Sequence, residues 1–141
     1  MKYEVPEAWD WAHLEQIGTV GSSRRVTKSD WTKEGVPFYR AREVVKLSKN
    51  GFVENDLFIS TELYEELASS GQVPEAGDVL LTGVGTIGVP YEVKKQDHFY
   101  FKDASVLIFK NEYKLDPSYL YLFFCHPTGI EPYSILVLAV L

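Results

Sequence analysis

The most informative segment of the sequence reads Gly77-Asp78-Val79-Leu80-Leu81-Thr82-Gly83-Val84-Gly85-Thr86-Ile87-Gly88. A polar turn precedes a short apolar run from Val79 to Leu81, and the flanking glycines favour a buried strand over a helix. The glycines after Thr82 match the G-x-G-x-x-G pattern of dinucleotide-binding proteins. Nucleotide binding is therefore the first function to test.

The dinucleotide pattern needs a helix that begins at its third glycine, where the helix N-terminal amides bind a pyrophosphate. Such a helix is not expected after Gly88, because Val89 is β-branched and Pro90 disfavours a helical conformation at the residue before it. We therefore predict a strand, a tight glycine-rich turn and a second strand, with no nucleotide cofactor. The glycines predicted to shape this structural loop are Gly77, Gly83, Gly85 and Gly88.

The same segment carries a family resemblance. Gly-Asp-Val-Leu-Leu-Thr followed by Gly-Thr-Ile-Gly is similar to the signature of the target recognition domain in type I restriction-modification specificity subunits. Gly35-Val36-Pro37-Phe38 matches the family's Gly-x-Pro-Phe/Trp element, and Pro117-Ser118-Tyr119-Leu120-Tyr121 follows its Pro-x-Tyr-Leu-Tyr element. The resemblance extends over about residues 5 to 126.

The resemblance implies one DNA target recognition domain over residues 1–141, with a lead-in at 1–20 and an atypical apolar tail at 127–141. It implies a non-catalytic module that reads one half of a bipartite target in double-stranded DNA. Type I methyltransferase (modification) subunits would supply methyl transfer, and the restriction subunit would supply cleavage. Family members continue beyond this length, so we expect a truncated recognition subunit.

Local patterns predict an α+β fold that is strand-rich with a few short helices. A helix over residues 62–70 is expected to be capped by Ser60 or Thr61, and a buried helix is expected to begin at Asp116-Pro117. Predicted strands are an edge strand at 36–40, which contains Pro37, and strands at 91–94, 99–101 and 105–110. Residues 21–35 are predicted to form an exposed basic loop around Trp31.

The charge distribution suggests where DNA would bind. The net charge is -6 and the pI is near 5.0, which argues against binding through overall charge. The window from Arg24 to Lys49 nevertheless holds eight basic and three acidic residues. This band could direct a polyanion to one face of the domain, although a solvated basic loop region is an equally open interpretation.

The candidate DNA-contacting residues come from this band and from the signature segment. If the strand at 36–40 continues, Arg40 and Arg42 share one face and suit guanine edges or phosphates. An ordinary salt bridge with Glu43 is the alternative. The full candidate set is Arg24, Arg25, Lys28, Arg40, Arg42, Lys46, Thr82 and Thr86.

Several other functions are not favoured. The three histidines lie far apart in sequence, so no metal site is predicted, and Cys125 is expected to be a small core residue. No signal peptide is recognisable, so a cytoplasmic protein is expected. The apolar segment 135–141 is too short to cross a membrane and is expected to pair with another copy, giving a dimer.

Two alternatives to DNA recognition stay open at this point. The first alternative is a protein–protein interaction module, which an acidic, aromatic-rich surface would suit. The chain could equally be a vestigial fragment that does not bind DNA by itself. A nucleotide-binding enzyme is the second alternative, and titration with NAD or ATP would test it.

Overall fold

The structure is a computed structural model that describes residues 9–13, 18–71, 73–82, 89–112, 114–125 and 134–138. Its helices are α1 (Ala41–Asn50), α2 (Thr61–Ser69) and α3 (Pro117–Cys125), with a 3₁₀ turn at Lys28–Asp30. The strands of the described ranges are β1 (Trp9–His13), β2 (Thr19–Ser22), β3 (Trp31–Thr32), β4 (Val36–Tyr39), β5 (Phe58–Ile59), β6 (Val79–Thr82), β7 (Pro90–Glu92), β8 (Tyr100–Phe101), β9 (Val106–Lys110) and β10 (Ser134–Leu138). The predicted α+β class is confirmed.

An antiparallel sheet with strand order β2-β9-β6-β7 forms the centre of the molecule. Its register places Thr82 opposite Val106, and Ser22 opposite Leu107. The last residues of β2 and β6 therefore lie at the same end as the first residues of β7 and β9. We call this the Thr82 end, and the opposite end, where Asp78 precedes β6, the Asp78 end.

The predicted strand–turn–strand arrangement is confirmed for the strands that flank the glycines. β6 and β7 are antiparallel neighbours, with Leu81 opposite Pro90. The Thr82 N–H donates to the Val89 carbonyl oxygen at 3.2 Å, and the Val89 N–H donates to Thr82 Oγ1 at 3.2 Å. A strand therefore stands where a dinucleotide site needs a helix, whereas Gly83, Gly85, Thr86 and Gly88 lie outside the described residues.

A second sheet has the strand order β3-β5-β4-β8. β4 lies inside it, antiparallel to β5 and parallel to β8, so the prediction of an edge strand is wrong. Pro37 is tolerated there because β5 faces Val36 and Pro37, whereas β8 faces only Phe38 and Tyr39. The first half of β4 thus pairs with β5, and the second half pairs with β8.

The core is divided among the faces of the two sheets. Val44 and Leu47 of α1 pack against Leu80 and Ile108 of the central sheet. The second sheet and α2 bury Phe38, Ile59, Leu67 and Tyr100, and α3 covers Val79 and Phe109 with Leu120.

Helix α2 forms as predicted. The Ser60 side-chain oxygen accepts a hydrogen bond from the Leu63 N–H at 3.1 Å, and Gly71 follows the helix with φ of +76°. The Ser60 bond satisfies a backbone N–H at the start of the helix, and the Gly71 N–H donates to the Ala68 carbonyl oxygen at its end.

Helix α3 begins as predicted but is less buried than expected. Asp116 accepts the Ser118 N–H at 2.9 Å. Leu120 is fully buried, but Leu122 is 56% exposed and Cys125 is exposed, so the predictions of a buried helix and a core cysteine are wrong within the described chain. The run from Tyr119 to Cys125 has no charged residue to mark a solvent-facing side, yet the central sheet covers only one side of α3.

The ends of the described chain form a separate antiparallel ladder. β1 pairs with β10 from Trp9 opposite Leu138 to His13 opposite Ser134. The described part of the tail is a strand that pairs with this chain's own lead-in. Pairing with another copy stays a prediction. Among the described residues, no helix has the length and apolar character that a membrane span requires.

Candidate nucleic-acid interface

Basic residues from separate segments meet at the Thr82 end of the central sheet. The segment that carries Arg24, Arg25 and Lys28 directly follows β2, and the turn that begins at Lys102 directly precedes β9. The Ala104 N–H donates to Ser22 Oγ at 3.2 Å, which joins the two segments. The pairing of β2 with β9 thus brings together residues that lie more than 70 positions apart.

A groove of about 410 Å³ lies between these segments. Exposed Arg25, Lys28 and Lys102 line it, and Trp31 and Phe38 supply its aromatic lining, with ring centroids 6.3 Å apart. We call this set the basic groove. Three exposed cations beside aromatic rings suit a phosphate backbone whose sugars and bases lie close by.

Trp31 has a different role from the one that the sequence suggested. It is half-buried in β3 and packs with the core residues beneath α2, and Lys28–Asp30 forms a 3₁₀ turn ahead of it. The Asp30 carboxylate accepts the Thr27 N–H at 3.1 Å. The predicted exposed loop at 21–35 is therefore wrong in part, because the half-buried Trp31 and the capped turn fix the segment that holds Lys28.

Arg24 is tied to α2. Its guanidinium lies 3.0 Å from the Glu66 carboxylate, and its backbone N–H donates to the Tyr100 hydroxyl at 2.7 Å. Burial raises the pKa of the Tyr100 phenol above its ordinary value. The ion pair is exposed on both sides, so it would exchange readily for a phosphate.

Arg40 and Arg42 are not on a strand. Arg40 is the N-cap of α1 and Arg42 lies in its first turn, so the prediction of two arginines on one strand face is wrong. The salt-bridge alternative is what the structure shows: Arg40 Nε lies 2.8 Å from Glu43 Oε1, and Arg42 Nε lies 2.8 Å from Glu43 Oε2. The Lys102 N–H donates to the Tyr39 carbonyl oxygen at 2.8 Å, which places this pair beside the basic groove.

Lys46 extends the basic surface along α1. It follows Arg42 by four residues, Lys49 follows by three more, and all three are exposed. Residues at this spacing lie on one face of a helix, while Val44 and Leu47 bury the other face. A basic stripe on α1 thus continues from the arginine pair.

The candidates from the signature segment are structural where they are described. Thr82 is 2% exposed and its hydroxyl oxygen accepts the Val89 N–H, so the side chain has a structural role in the hairpin, whereas its contact with DNA stays a prediction. Gly77 has φ of +95°, which supports its predicted structural role. Thr86 lies outside the described residues.

Sequence reasoning missed Lys102. The lysine belongs to the basic groove only because β8 pairs in parallel with β4 and because β9 pairs with β2. A signal was present, since Lys102-Asp103 lies in a predicted turn before a strand, but a count of charges along the chain does not reveal pairing between distant segments.

The Asp78 end is built differently. Asp78 is 4% exposed, and its carboxylate accepts Lys110 Nζ at 2.6 Å, the Asn111 N–H at 3.0 Å and the Glu75 N–H at 2.9 Å. These three hydrogen bonds close the turn that precedes β6. Within the described part of the chain, no cluster of three potential metal ligands occurs at either end.

The comparisons with known proteins agree with this architecture. The chain is 29% identical over 113 residues to a type I restriction enzyme specificity subunit of Haemophilus influenzae, a match that covers 79% of this chain and 27% of the relative. The chain therefore spans about a quarter of that protein's length. No family model matches the sequence.

Solved structures of the same kind share the fold. The HsdS subunit from Thermoanaerobacter tengcongensis aligns with a TM-score of 0.65 at 16% identity, over 95% of this chain and 34% of that one. A chain from a type I R-M system structure aligns with a TM-score of 0.65 at 15% identity, over 99% and 36%. The S subunit from M. genitalium gives 0.51 at 11% identity, over 84% and 26%. In sequence and in fold, the chain is similar to part of a type I restriction-modification specificity subunit.

Proposed function

We propose that this chain is a DNA recognition module of a type I restriction-modification system, which reads one half of a bipartite target in double-stranded DNA. The supporting observation is the convergence of Arg25, Lys28 and Lys102 on one groove, beside the arginine pair at the start of α1. The module itself would be non-catalytic. Methyltransferase and restriction subunits would carry out the chemistry, inside the cell where the DNA lies.

The geometry divides the work between two sets of side chains. Exposed lysines of the basic groove suit phosphates, because an ammonium group binds as a point charge without preference for a base. Arginine forks suit guanine edges, which present two acceptors in the major groove. The arginine pair is therefore the better candidate for base recognition. The basic groove is the better candidate for phosphate contacts that fix the position of the protein along the duplex.

The overall acidity of the chain shapes the expected behaviour of this site. With a net charge of -6, attraction to DNA has to come from local clusters of basic residues, and we assign it to the Thr82 end. Affinity of the isolated chain is expected to be low and to fall steeply with salt, because bound cations release counterions from DNA. Partner subunits in a complete assembly would add the remaining affinity.

The test combines a selection with a matched pair of variants. The chain, assembled with methyltransferase subunits, is first used at low salt to select duplexes from a random pool. Affinity for the selected duplex is then measured against salt for Lys28→Ala/Lys102→Ala and for Lys94→Ala/Lys95→Ala. Each double variant removes two exposed lysines, but the second pair lies at the Asp78 end.

If the basic groove binds phosphates, the first variant loses about 2 units of the slope of log K against log salt, roughly 0.9 for each contact. The control keeps the wild-type slope. Equal slopes for both variants would contradict the assignment of the groove, and the absence of any enriched duplex would contradict the proposed function.

A second candidate function, contact with a protein partner, is favoured by the outer side of α3. Leu122 is 56% exposed there and Cys125, three residues later on the helix, is also exposed, and adjoining exposed apolar side chains can mark an interaction surface. Retention of a methyltransferase subunit at high salt, lost in Leu122→Asp, would support it. Both functions could coexist, since α3 covers the face of the central sheet opposite to the α1 side.

A further inference from the structure

Glu43 is a buried carboxylate that serves two arginines at once. It is 4% exposed. One oxygen accepts Arg40 Nε at 2.8 Å and the other accepts Arg42 Nε at 2.8 Å, while Arg40 Nη2 lies 3.4 Å from Oε2. One buried carboxylate thus holds two guanidinium groups.

The same carboxylate also completes the start of α1. An arginine at the N-cap has no side-chain acceptor to offer the first turn. Glu43, at the third helical position, accepts the Arg40 backbone N–H at 3.0 Å. This bond fixes the backbone from which both arginine side chains extend, so their starting points are set by the helix as well.

Among the described residues, the arrangement leaves both terminal nitrogens of Arg42, and Nη1 of Arg40, for a ligand. Arg42 binds Glu43 through Nε alone, its side chain is 63% exposed, and its terminal nitrogens make no further hydrogen bond to the residues that the structure describes. Arg40 adds one longer contact, 3.6 Å from Nη2 to the exposed Asp56. Each arginine side chain is thus held by Glu43 through its Nε atom.

We propose that Glu43 is a positioning residue that pre-orients Arg40 and Arg42 to read a base pair, an inference that rests on the proposed DNA recognition. A free arginine loses side-chain freedom when it forms a bidentate contact with a base. This entropy cost reduces the difference in binding free energy between the correct base and a loose phosphate contact. Arginines already held at Nε lose less freedom at the correct base, while their reach toward other acceptors is restricted. Glu43 therefore acts on discrimination between sequences more than on total affinity.

The decisive variant is Glu43→Gln, because glutamine keeps an oxygen that can accept the Arg40 N–H and removes the charge that holds the guanidinium groups. Glu65→Gln is the matched control, since Glu65 is an exposed glutamate on α2. Affinities of the complete assembly for the selected duplex and for an unrelated duplex are measured for both variants. Unchanged far-UV circular dichroism and an unfolding midpoint close to wild type confirm that α1 is intact.

We expect Glu43→Gln to bind the unrelated duplex at least as well as wild type and to lose about tenfold in the ratio of specific to unspecific affinity, the size of one bidentate base contact. Glu65→Gln keeps the wild-type ratio. Equal ratios in the two variants would overturn the positioning role while leaving the proposed function standing. A wild-type assembly that binds all duplexes equally would overturn both.

A second readout needs no DNA. In the isolated wild-type chain, the Nε–H signals of Arg40 and Arg42 should exchange with water more slowly than that of exposed Arg25, and the difference should vanish in Glu43→Gln. Rapid exchange at Arg40 and Arg42 in the wild-type chain would mean that Glu43 does not hold them.

Discussion

The two ends of the central sheet use charge in opposite ways. At the Asp78 end, a carboxylate that is 4% exposed accepts hydrogen bonds from Lys110, Asn111 and Glu75. At the Thr82 end, Arg25, Lys28 and Lys102 are exposed around a groove. Buried charges need partners within the fold, whereas exposed cations are free to meet a ligand. The contrast separates charges that stabilise the fold from charges that are available to bind a ligand.

The contrast also shows what the signature segment does. Asp78 closes a turn, Val79 and Leu80 are completely buried, and Thr82 closes the hairpin. These residues identify the fold because the fold depends on them. The candidates for recognition lie instead on neighbouring segments, whose sequences can vary without loss of the core.

The largest effect is expected from breaking the Asp78 end. Asp78→Ala leaves two backbone N–H groups without their acceptor. It also removes the nearest carboxylate of the partly buried Lys110 ammonium, which keeps the Val73 carbonyl oxygen at 2.9 Å. We expect a loss of about 3 kcal/mol in the free energy of unfolding, measured by urea denaturation. The salt slope of DNA binding should stay at the wild-type value under conditions where the variant is folded.

The control for this experiment is Glu75→Gln at the same end. Glu75 also pairs with Lys110, at 3.5 Å, but its side chain is 60% exposed. An exposed pair contributes about 0.5 kcal/mol or less. If both variants lost the same stability, burial would not distinguish the two kinds of charge, and the comparison between the ends would fail.

A smaller effect is expected from alkaline pH. Burial, and then the hydrogen bond to Asp97, raises the pKa of the Tyr91 phenol above its ordinary value of 10.0. Above pH 10 the unfolded chain loses this proton while the folded chain keeps it, so the free energy of unfolding falls as pH rises. The loss is about 1.4 kcal/mol per pH unit for one such phenol. Urea denaturation between pH 9 and 11 measures it.

Tyr91→Phe should weaken this dependence, since phenylalanine has no proton to lose. The variant also lacks the hydrogen bond to Asp97, so it is less stable than wild type at pH 8. An undiminished pH dependence in Tyr91→Phe would assign the alkaline loss to other groups. Burial also raises the pKa of Tyr39, Tyr64, Tyr100 and Tyr119.

Local signals predicted those elements whose stability is local. The Ser60 cap and Gly71 define α2, and glycines flank the apolar run of β6. Helix α1 was missed because Val44-Val45 favours a strand, although Gly51, with φ of +80°, supplies the helix C-cap. The spacing of Val44 and Leu47 on one face was the neglected helical signal.

The candidate site was predictable only in part. Arg25 and Lys28 could be chosen from the density of charge, but Lys102 enters the basic groove through strand pairings with distant segments. The outcome for Arg40 and Arg42 depended on the buried state of Glu43, which no pattern of charges along the chain discloses. Burial and non-local pairing are tertiary properties, and they determine which charges remain available.

The most direct measurement is site-specific photo-crosslinking to DNA. A photoreactive side chain is placed at position 102 in one sample and at position 95 in another, within the complete assembly and with the selected duplex. If the Thr82 end faces DNA, irradiation gives a covalent DNA adduct from position 102 and little from position 95. Adducts of equal yield from both positions, or an adduct from position 95 alone, would contradict it.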